Sequence, residues 1–131
     1  MSFGQRNYDR TKPEIDFPEG EVPAELRIID ITEGDGAEVT PGDTVSAHYV
    51  GVAWSTGEEF DSSWGRGTPL DFRVGVGQVI QGWDQGLLGM KVGGRRRLEI
   101  PSELAYGSRG AGGAIGPNES LIFVVDLVGV R

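Results

Sequence analysis

Few side chains in this sequence are equipped for covalent chemistry. It contains no cysteine and one histidine, which excludes thiolate nucleophiles, disulfides and multi-histidine metal sites. A Ser-His-Asp triad would have only His48 to draw on. That residue lies on the strand face opposite Val45 and Tyr49, where a histidine is ordinarily packed or hydrogen-bonded rather than reactive. The adjacent carboxylates of Glu58 and Glu59 point to opposite sides of an extended chain and read as solvated charges. Asp61 differs, because it follows Phe60 in a segment close to the core, where a carboxylate must find hydrogen-bond partners. Two readings of it stand at this point: a structural aspartate in a turn, or a polar group placed for function. Gly75-Val76-Gly77-Gln78-Val79-Ile80 superficially suggests a phosphate loop. It puts isoleucine where the third glycine belongs, however, and lacks a βαβ context.

What the sequence does supply is aromatic surface. Tyr49, Phe60, Phe72, Trp83, Tyr106 and Phe123 come from strands, from the one convincing helix and from a glycine-rich loop. One account makes them core filler. The other has part of the set lining a concave apolar surface, with Tyr49 and Tyr106 carrying hydroxyls that need partners when buried. The glycine-dominated loop at 106–117 would then be the rim, since loops on a rigid scaffold commonly carry function.

The elements that must position these residues are mostly strands. Residues 25–31 alternate, with Leu26 and Ile28 on one face and Ile29 and Ile31 on the other, a strand covered partly on both sides. Residues 44–54 form a clear strand in which Val45, Ala47 and Tyr49 share a face. Ser55-Thr56-Gly57 breaks it, residues 58–61 return as a strand, and 62–69 is loop. Leu70, Phe72 and Val74 then alternate. A helix starts near Ile80, with Ile80, Trp83, Leu87 and Met90 as its apolar stripe. Gly82, Gly86 and Gly89 each weaken it by about 1 kcal/mol relative to alanine, so packing through Trp83 must hold it. Residues 97–100 form another strand, ended by Pro101. The last strand, 121–130, is apolar on both faces until Asp126 and reads as central. Five to six strands with one short helix is an α+β plan, an antiparallel sheet with a helix laid on one face.

Composition narrows the setting. The 131 residues fit one domain, and a net charge of -8 argues against nucleic acid or an anionic membrane as the main partner. Arg95-Arg96-Arg97, the one basic run, reads as the solvated start of a strand. No apolar run approaches the roughly 20 residues that span a bilayer, and the first residues lack the apolar stretch of a signal peptide. A cytoplasmic protein is expected, its lack of cysteine compatible with a reducing compartment. Residues 1–23 are polar, contain Pro13, Pro18 and Pro23, and read as a flexible tail before a domain at 24–131.

Taken together, several segments resemble the FKBP family of prolyl isomerases across residues 26–130. They are Val-Ser-Ala-His-Tyr-Val-Gly at 45–51, Glu-Phe-Asp-Ser-Ser at 59–63 and Val-Ile-Gln-Gly-Trp-Asp-Gln-Gly-Leu at 79–87. Met-Lys-Val-Gly-Gly-Arg-Arg-Arg-Leu-Glu-Ile-Pro at 90–101, Leu-Ala-Tyr-Gly at 104–107 and Leu-Ile-Phe-Val-Val-Asp-Leu at 121–127 follow in order. The resemblance implies a curved, half-open antiparallel sheet wrapped around the helix, with a pocket between them. Its implied walls are Tyr49, Phe60, Asp61, Arg66, Phe72, Val79, Ile80, Tyr106, Ile115 and Phe123, with Trp83 as floor.

Within that pocket the resemblance implies that Asp61, Tyr49, Tyr106 and Phe123 carry catalysis. Asp61 would be held by Tyr49 and Arg66, while the Ile80 N–H and the Tyr106 hydroxyl donate to substrate carbonyls. Leu70 belongs to the binding set but stands where an aromatic is common. Ala111 and Ala114 replace bulkier loop residues, and Gln78 stands where an acidic residue is frequent. The implied activity is acceleration of X-Pro bond rotation by a monomer without cofactor or metal. Its partners would be proline-containing segments and macrolides of the tacrolimus and rapamycin type. The alternative is a non-catalytic proline-binding or chaperone module that uses the same pocket.

Overall fold

The computed structural model describes residues 11–16, 18 and 20–131. Six strands follow in chain order: β1 (Arg27–Thr32), β2 (Thr44–Ala53), β3 (Glu59–Ser62), β4 (Leu70–Arg73), β5 (Arg95–Ile100) and β6 (Leu121–Val130). One α-helix, α1 (Gln81–Gly86), stands between β4 and β5. All pairings are antiparallel, in the order β1-β5-β6-β2-β3, and β4 also pairs with β2. The α+β plan read from the sequence is the one observed, an open antiparallel sheet with, among the described residues, a single short helix.

The strands sit where their side chains allow. β6 is buried from Leu121 to Leu127 because its apolar residues on both faces have cover, and it lies between β5 and β2. β2 divides its other edge, giving Val50, Gly51 and Val52 to β3 and residues 44–47 to β4. The chain between β3 and β4 is therefore pushed out of the sheet, and part of it coils into a 3-10 turn at Trp64–Arg66.

β1 corrects the expectation of cover on both sides. It is an edge strand on β5, and Ile28, Ile29 and Ile31 are 46%, 43% and 54% exposed. Alternation fixed the backbone state, but edge position decided the burial.

α1 is also shorter than its apolar stripe. Ile80 is the N-cap in extended backbone, Leu87 is the C-cap, and Gly89 at φ 81° turns the chain away before Met90. Trp83, Leu87 and Met90 still bury in the main core with Leu98, Ile100, Phe123 and Val125. The glycines that weaken the helix explain how it lies so close to the sheet. A Cβ on Gly82 would stand 2.6 Å from Ile100 Cγ2, and one on Gly86 would stand 2.8 Å from Leu98 Cδ2. Side chains at these positions would hold α1 away from β5.

The arginine run is a second correction, since none of its members is a free solvated charge. Arg95 donates to Asp126 on β6 at 2.8 Å, and Arg97 to Glu99 at 3.0 Å. Arg96 is buried. It reaches Asp30 on β1 at 2.6 Å and donates to the Gly86 and Leu88 carbonyls, which closes the C-terminal end of α1.

On the outer face, Val52, Trp54 and Ile122 form a smaller buried cluster against which Ile15 packs. The same segment gives the Thr11 carbonyl to Arg95 at 3.0 Å and Lys12 to Glu59 at 2.6 Å. Pro18 and Pro23 are buried as well. No helix among the described residues is long and apolar enough to cross a membrane.

Alanine for glycine inside a helix ordinarily stabilises by about 1 kcal/mol. Here the close approach to β5 reverses the sign, and Gly82→Ala and Gly86→Ala should each destabilise by about 1–3 kcal/mol. Urea unfolding at 25 °C measures this, and a gain in stability from either variant would contradict the packing argument.

Candidate functional site

A cavity of about 420 Å³ opens between α1 and the sheet. Its lining is Tyr49, Phe60, Asp61, Leu70, Gln78, Val79, Ile80, Trp83, Tyr106 and Phe123. The size suits a small ligand or one ring of a larger one.

Glycine again sets the geometry. Gly51 on β2 pairs with Phe123 on β6 and with Asp61 on β3. A Cβ there would come within 2.6 Å of Phe123 Cε1 and 2.7 Å of Phe60 Cζ. Its absence lets the two rings meet edge to face over the strand, with centroids 5.5 Å apart at 87°. Trp83 presents its indole below them. It contacts Tyr49 at 5.1 Å and 80° and Phe123 at 5.1 Å and 85°, both in the perpendicular arrangement that aromatic quadrupoles favour.

The opposite wall hangs on a clamped turn. Gly75 and Gly77 adopt φ of 84° and 81°, a region open to glycine without strain. Their N–H groups donate to the two carboxylate oxygens of Asp84 on α1, at 2.8 and 3.0 Å. Gln78 Oε1 accepts the Arg73 N–H at 2.9 Å, tying the same turn to β4. This framework delivers Val79 and Ile80 to the cavity. The Ile80 backbone N–H has no acceptor among the described residues, and neither does the Tyr106 hydroxyl across from it.

Polar character is concentrated on one side. Tyr49 donates to Asp61 Oδ2 at 2.6 Å, and Arg66 donates to Asp61 Oδ1 at 3.0 Å and to the Tyr49 hydroxyl oxygen at 2.8 Å. The Ser62 N–H adds a bond to Asp61 Oδ1 at 2.9 Å. Burial pushes the Asp61 carboxyl up, but the bonds from Tyr49, Arg66 and Ser62 outweigh it and hold it below the usual carboxylate range. Burial pushes the Tyr49 phenol up, and its bond to the Asp61 carboxylate adds to this. Tyr106 is raised by burial and by the Asp61 charge.

The remaining residues singled out from sequence stand around the cavity rather than on its surface. Arg66 lies behind Asp61, with its guanidinium 5.7 Å from the Tyr49 ring centroid. Phe72 is buried against Trp83 at 5.3 Å, and Ile115 is buried in the core. Leu70, by contrast, belongs to the lining and is exposed at the mouth. His48 is on the outer face, stacked on Trp64 at 4.4 Å with Nδ1 2.8 Å from Ser63 Oγ. Burial lowers its pKa against the opposing charge of Asp126. Gln78 is the lining residue that sequence reasoning left without a role. The signal available was its position between the Gly75–Gly77 turn and Val79-Ile80. Among the described residues no three carboxylate or imidazole groups converge as metal ligands do.

Residues 36–128 match the model of the family described as FKBP-type peptidyl-prolyl cis-trans isomerase. The FK506-binding protein of Streptomyces anulatus is 70% identical over 120 residues, covering 91% of this chain and 97% of that protein. A probable FK506-binding protein of Corynebacterium glutamicum is 50% identical over 117 residues, 89% of this chain and 97% of its own length. Among solved structures, the crystal structure of AtFKBP13 superposes with a TM-score of 0.76 at 44% identity, covering 84% of this chain and 96% of that one.

The Asp61 triangle makes a prediction about protons. A carboxylate with a depressed folded-state pKa contributes stability that is complete above its unfolded value of about 3.9 and is lost as pH falls through the folded value. A ¹³C NMR titration of the Asp61 carboxyl should give a midpoint below that of an ordinary aspartate, and Tyr49→Phe should move it upward. A midpoint at or above the ordinary value would show that burial, not hydrogen bonding, governs this group.

Proposed function

Because the chain belongs to the FKBP-type peptidyl-prolyl cis-trans isomerase family, and is an enzyme of that class, we propose that this cavity receives a proline ring and lowers the barrier to rotation of the preceding imide. The observation that carries the reading is the pairing of an aromatic floor and walls with two free donors, the Ile80 N–H and the Tyr106 hydroxyl.

The reaction breaks no covalent bond. Its barrier is lost amide resonance, about 18–20 kcal/mol, and an unaided X-Pro bond takes tens to hundreds of seconds to cross it. Twisting the C–N bond returns electron density from the carbonyl oxygen to nitrogen, so the planar ground state is the more polar one and the more favoured by water. A ring bound among Trp83, Phe60 and Phe123 brings its imide into apolar surroundings. That raises the planar form more than the twisted form, which is differential binding. Transfer of an amide out of water without replacement bonds costs roughly 2–7 kcal/mol. Each 1.36 kcal/mol removed from a barrier is about tenfold in rate, so part of that difference is enough.

The donors set orientation. Ile80 and Tyr106 fix carbonyls that flank the reacting bond, leaving the imide itself to turn. Asp61 faces the imide as an anion already bonded to Tyr49, Arg66 and Ser62, so it contributes a fixed field rather than a proton.

One chain supplies every wall of the cavity, which supports action as a monomer. The lack of cysteine fits the cytoplasm. The names of the relatives support FK506-type macrolides as ligands of the same cavity, with Leu70 in place of a ring giving them a wider mouth.

In a protease-coupled assay on a proline tetrapeptide, the chain should accelerate isomerisation. Tyr106→Phe should lower kcat/KM about three- to tenfold, the effect of one neutral hydrogen bond. Phe123→Ala should lower it by more, with circular dichroism unchanged in both. Peptide binding without acceleration by the wild type would instead identify a non-catalytic proline-binding module.

A macrolide of the FK506 type should displace the peptide competitively. Failure to compete at micromolar macrolide would remove that ligand class from the reading.

A further inference from the structure

Gln78 lines the cavity beside Val79 and Ile80, and a single bond settles how its amide faces. Oε1 accepts the Arg73 backbone N–H at 2.9 Å. An N–H donor cannot bond to the NH₂ end of an amide, so the oxygen must face β4 and the NH₂ group must face away from it. That NH₂ carries two donors, and neither has an acceptor among the described residues. The support beneath it is firm, because the Gly75–Gly77 turn is bonded to Asp84 at both glycine N–H groups. A donor held in place before a ligand arrives loses little freedom on binding.

We propose that Gln78 is a specificity-determining residue, whose side-chain NH₂ donates to a carbonyl or carboxylate oxygen of the peptide flanking the bound proline. This rests on the proline-binding reading of the cavity and adds a third donor to the Ile80 N–H and the Tyr106 hydroxyl. The identity of the residue matters because of its anchor. A glutamate here would accept the Arg73 N–H equally well, so the turn would keep its shape. It would then present a second carboxylate to a cavity that already contains Asp61, and acceptors on the ligand would be repelled. Glutamine keeps this rim neutral and donating, which opens it to peptides with acidic residues near the proline.

The test compares wild type with Gln78→Glu and Gln78→Ala on three Xaa-Pro peptides. These carry alanine, aspartate or lysine after the proline. Affinity is read by isothermal titration and kcat and KM by the isomerisation assay. Gln78→Glu should weaken binding of the alanine peptide about three- to tenfold, weaken the aspartate peptide further, and spare or favour the lysine peptide. Gln78→Ala should weaken the alanine and aspartate peptides without turning the preference toward lysine. The loss should appear in KM, with kcat little changed. An amide NMR spectrum in which Arg73 and Ile80 keep their wild-type shifts in Gln78→Glu confirms that the anchor survives.

The proposal is overturned if Gln78→Glu binds all three peptides as wild type does. It is equally overturned if only Gln78→Ala loses affinity, since Gln78 would then be a clamp on the turn and nothing more. Wild type that binds without accelerating rotation defeats the isomerase reading and leaves the affinity comparison to judge Gln78. Wild type that binds none of the peptides defeats both.

Discussion

Trp83 can floor a cavity only because α1 lies nearly in contact with β5. The sum of helix and sheet side chains would normally keep the two layers about 10 Å apart. Two glycines on the inward face of a six-residue helix remove one side of that spacing, and Ile100 and Leu98 fill the place their side chains would take. The indole then becomes the bulkiest group on the helix face and projects into the concave side of the sheet. Gly51 repeats the device within the sheet, where the missing side chain admits the edges of Phe60 and Phe123. The hollow is therefore built by omission at three backbone positions. Its aromatic walls close in because nothing at Gly51, Gly82 or Gly86 holds them apart.

Such a cavity needs its polar groups under control, and the chain does this by bonding them to one another. The Asp61 carboxylate is 43% exposed and its Arg66 partner 51%, so the pair is largely screened by solvent and adds little to stability. Its value lies in geometry. Tyr49 on β2, Asp61 on β3 and Arg66 on the 3-10 turn are locked as a triangle, which joins the two strands to the loop that leaves the sheet. Ser63 reinforces the same corner from behind, accepting the Tyr49 N–H at 2.7 Å from a fully buried position. On the other wall, Asp84 and Gln78 do comparable work for the turn that presents Ile80.

The parts of this arrangement that were legible in the sequence are those carried by local pattern. Apolar residues on both faces of 121–127 could be satisfied only by a central strand, and alternation at Val45, Ala47 and Tyr49 gave the inward face of β2. The order and spacing of the matched segments brought Tyr49, Phe60, Asp61, Trp83 and Phe123 to one place. What was not legible depends on partners far along the chain. The glycines of α1 look like a defect until Ile100 and Leu98 are seen beneath them. Arg96 looks solvated until Asp30 and the end of α1 meet it. Ile28, Ile29 and Ile31 look half-covered, because alternation says nothing about which strand will be the edge. Gln78 is marked in the sequence only by its place between the Gly75–Gly77 turn and Val79-Ile80, since the way its amide faces follows from one backbone N–H on β4.

These features bear on how one pocket can be apolar to an imide while holding a carboxylate at its wall. An isolated anion there would favour whichever form of the substrate presents more positive charge and would draw water in with it. Asp61 is not isolated: Tyr49, Arg66 and the Ser62 N–H occupy its oxygens, and the Arg66 charge offsets its own. An imide bound there as proposed would meet a balanced dipolar cluster whose bonds are in place before binding and need no rearrangement as the C–N bond turns. In that reading, desolvation by Trp83, Phe60 and Phe123 and orientation by that cluster would act on the same bond from opposite sides. The aromatic side would disfavour the planar, polar form more than the twisted one, and the fixed dipoles would meet the turning bond without reorganising. On the proposed reading either wall alone would bind proline, and the two together would separate the two geometries of its amide.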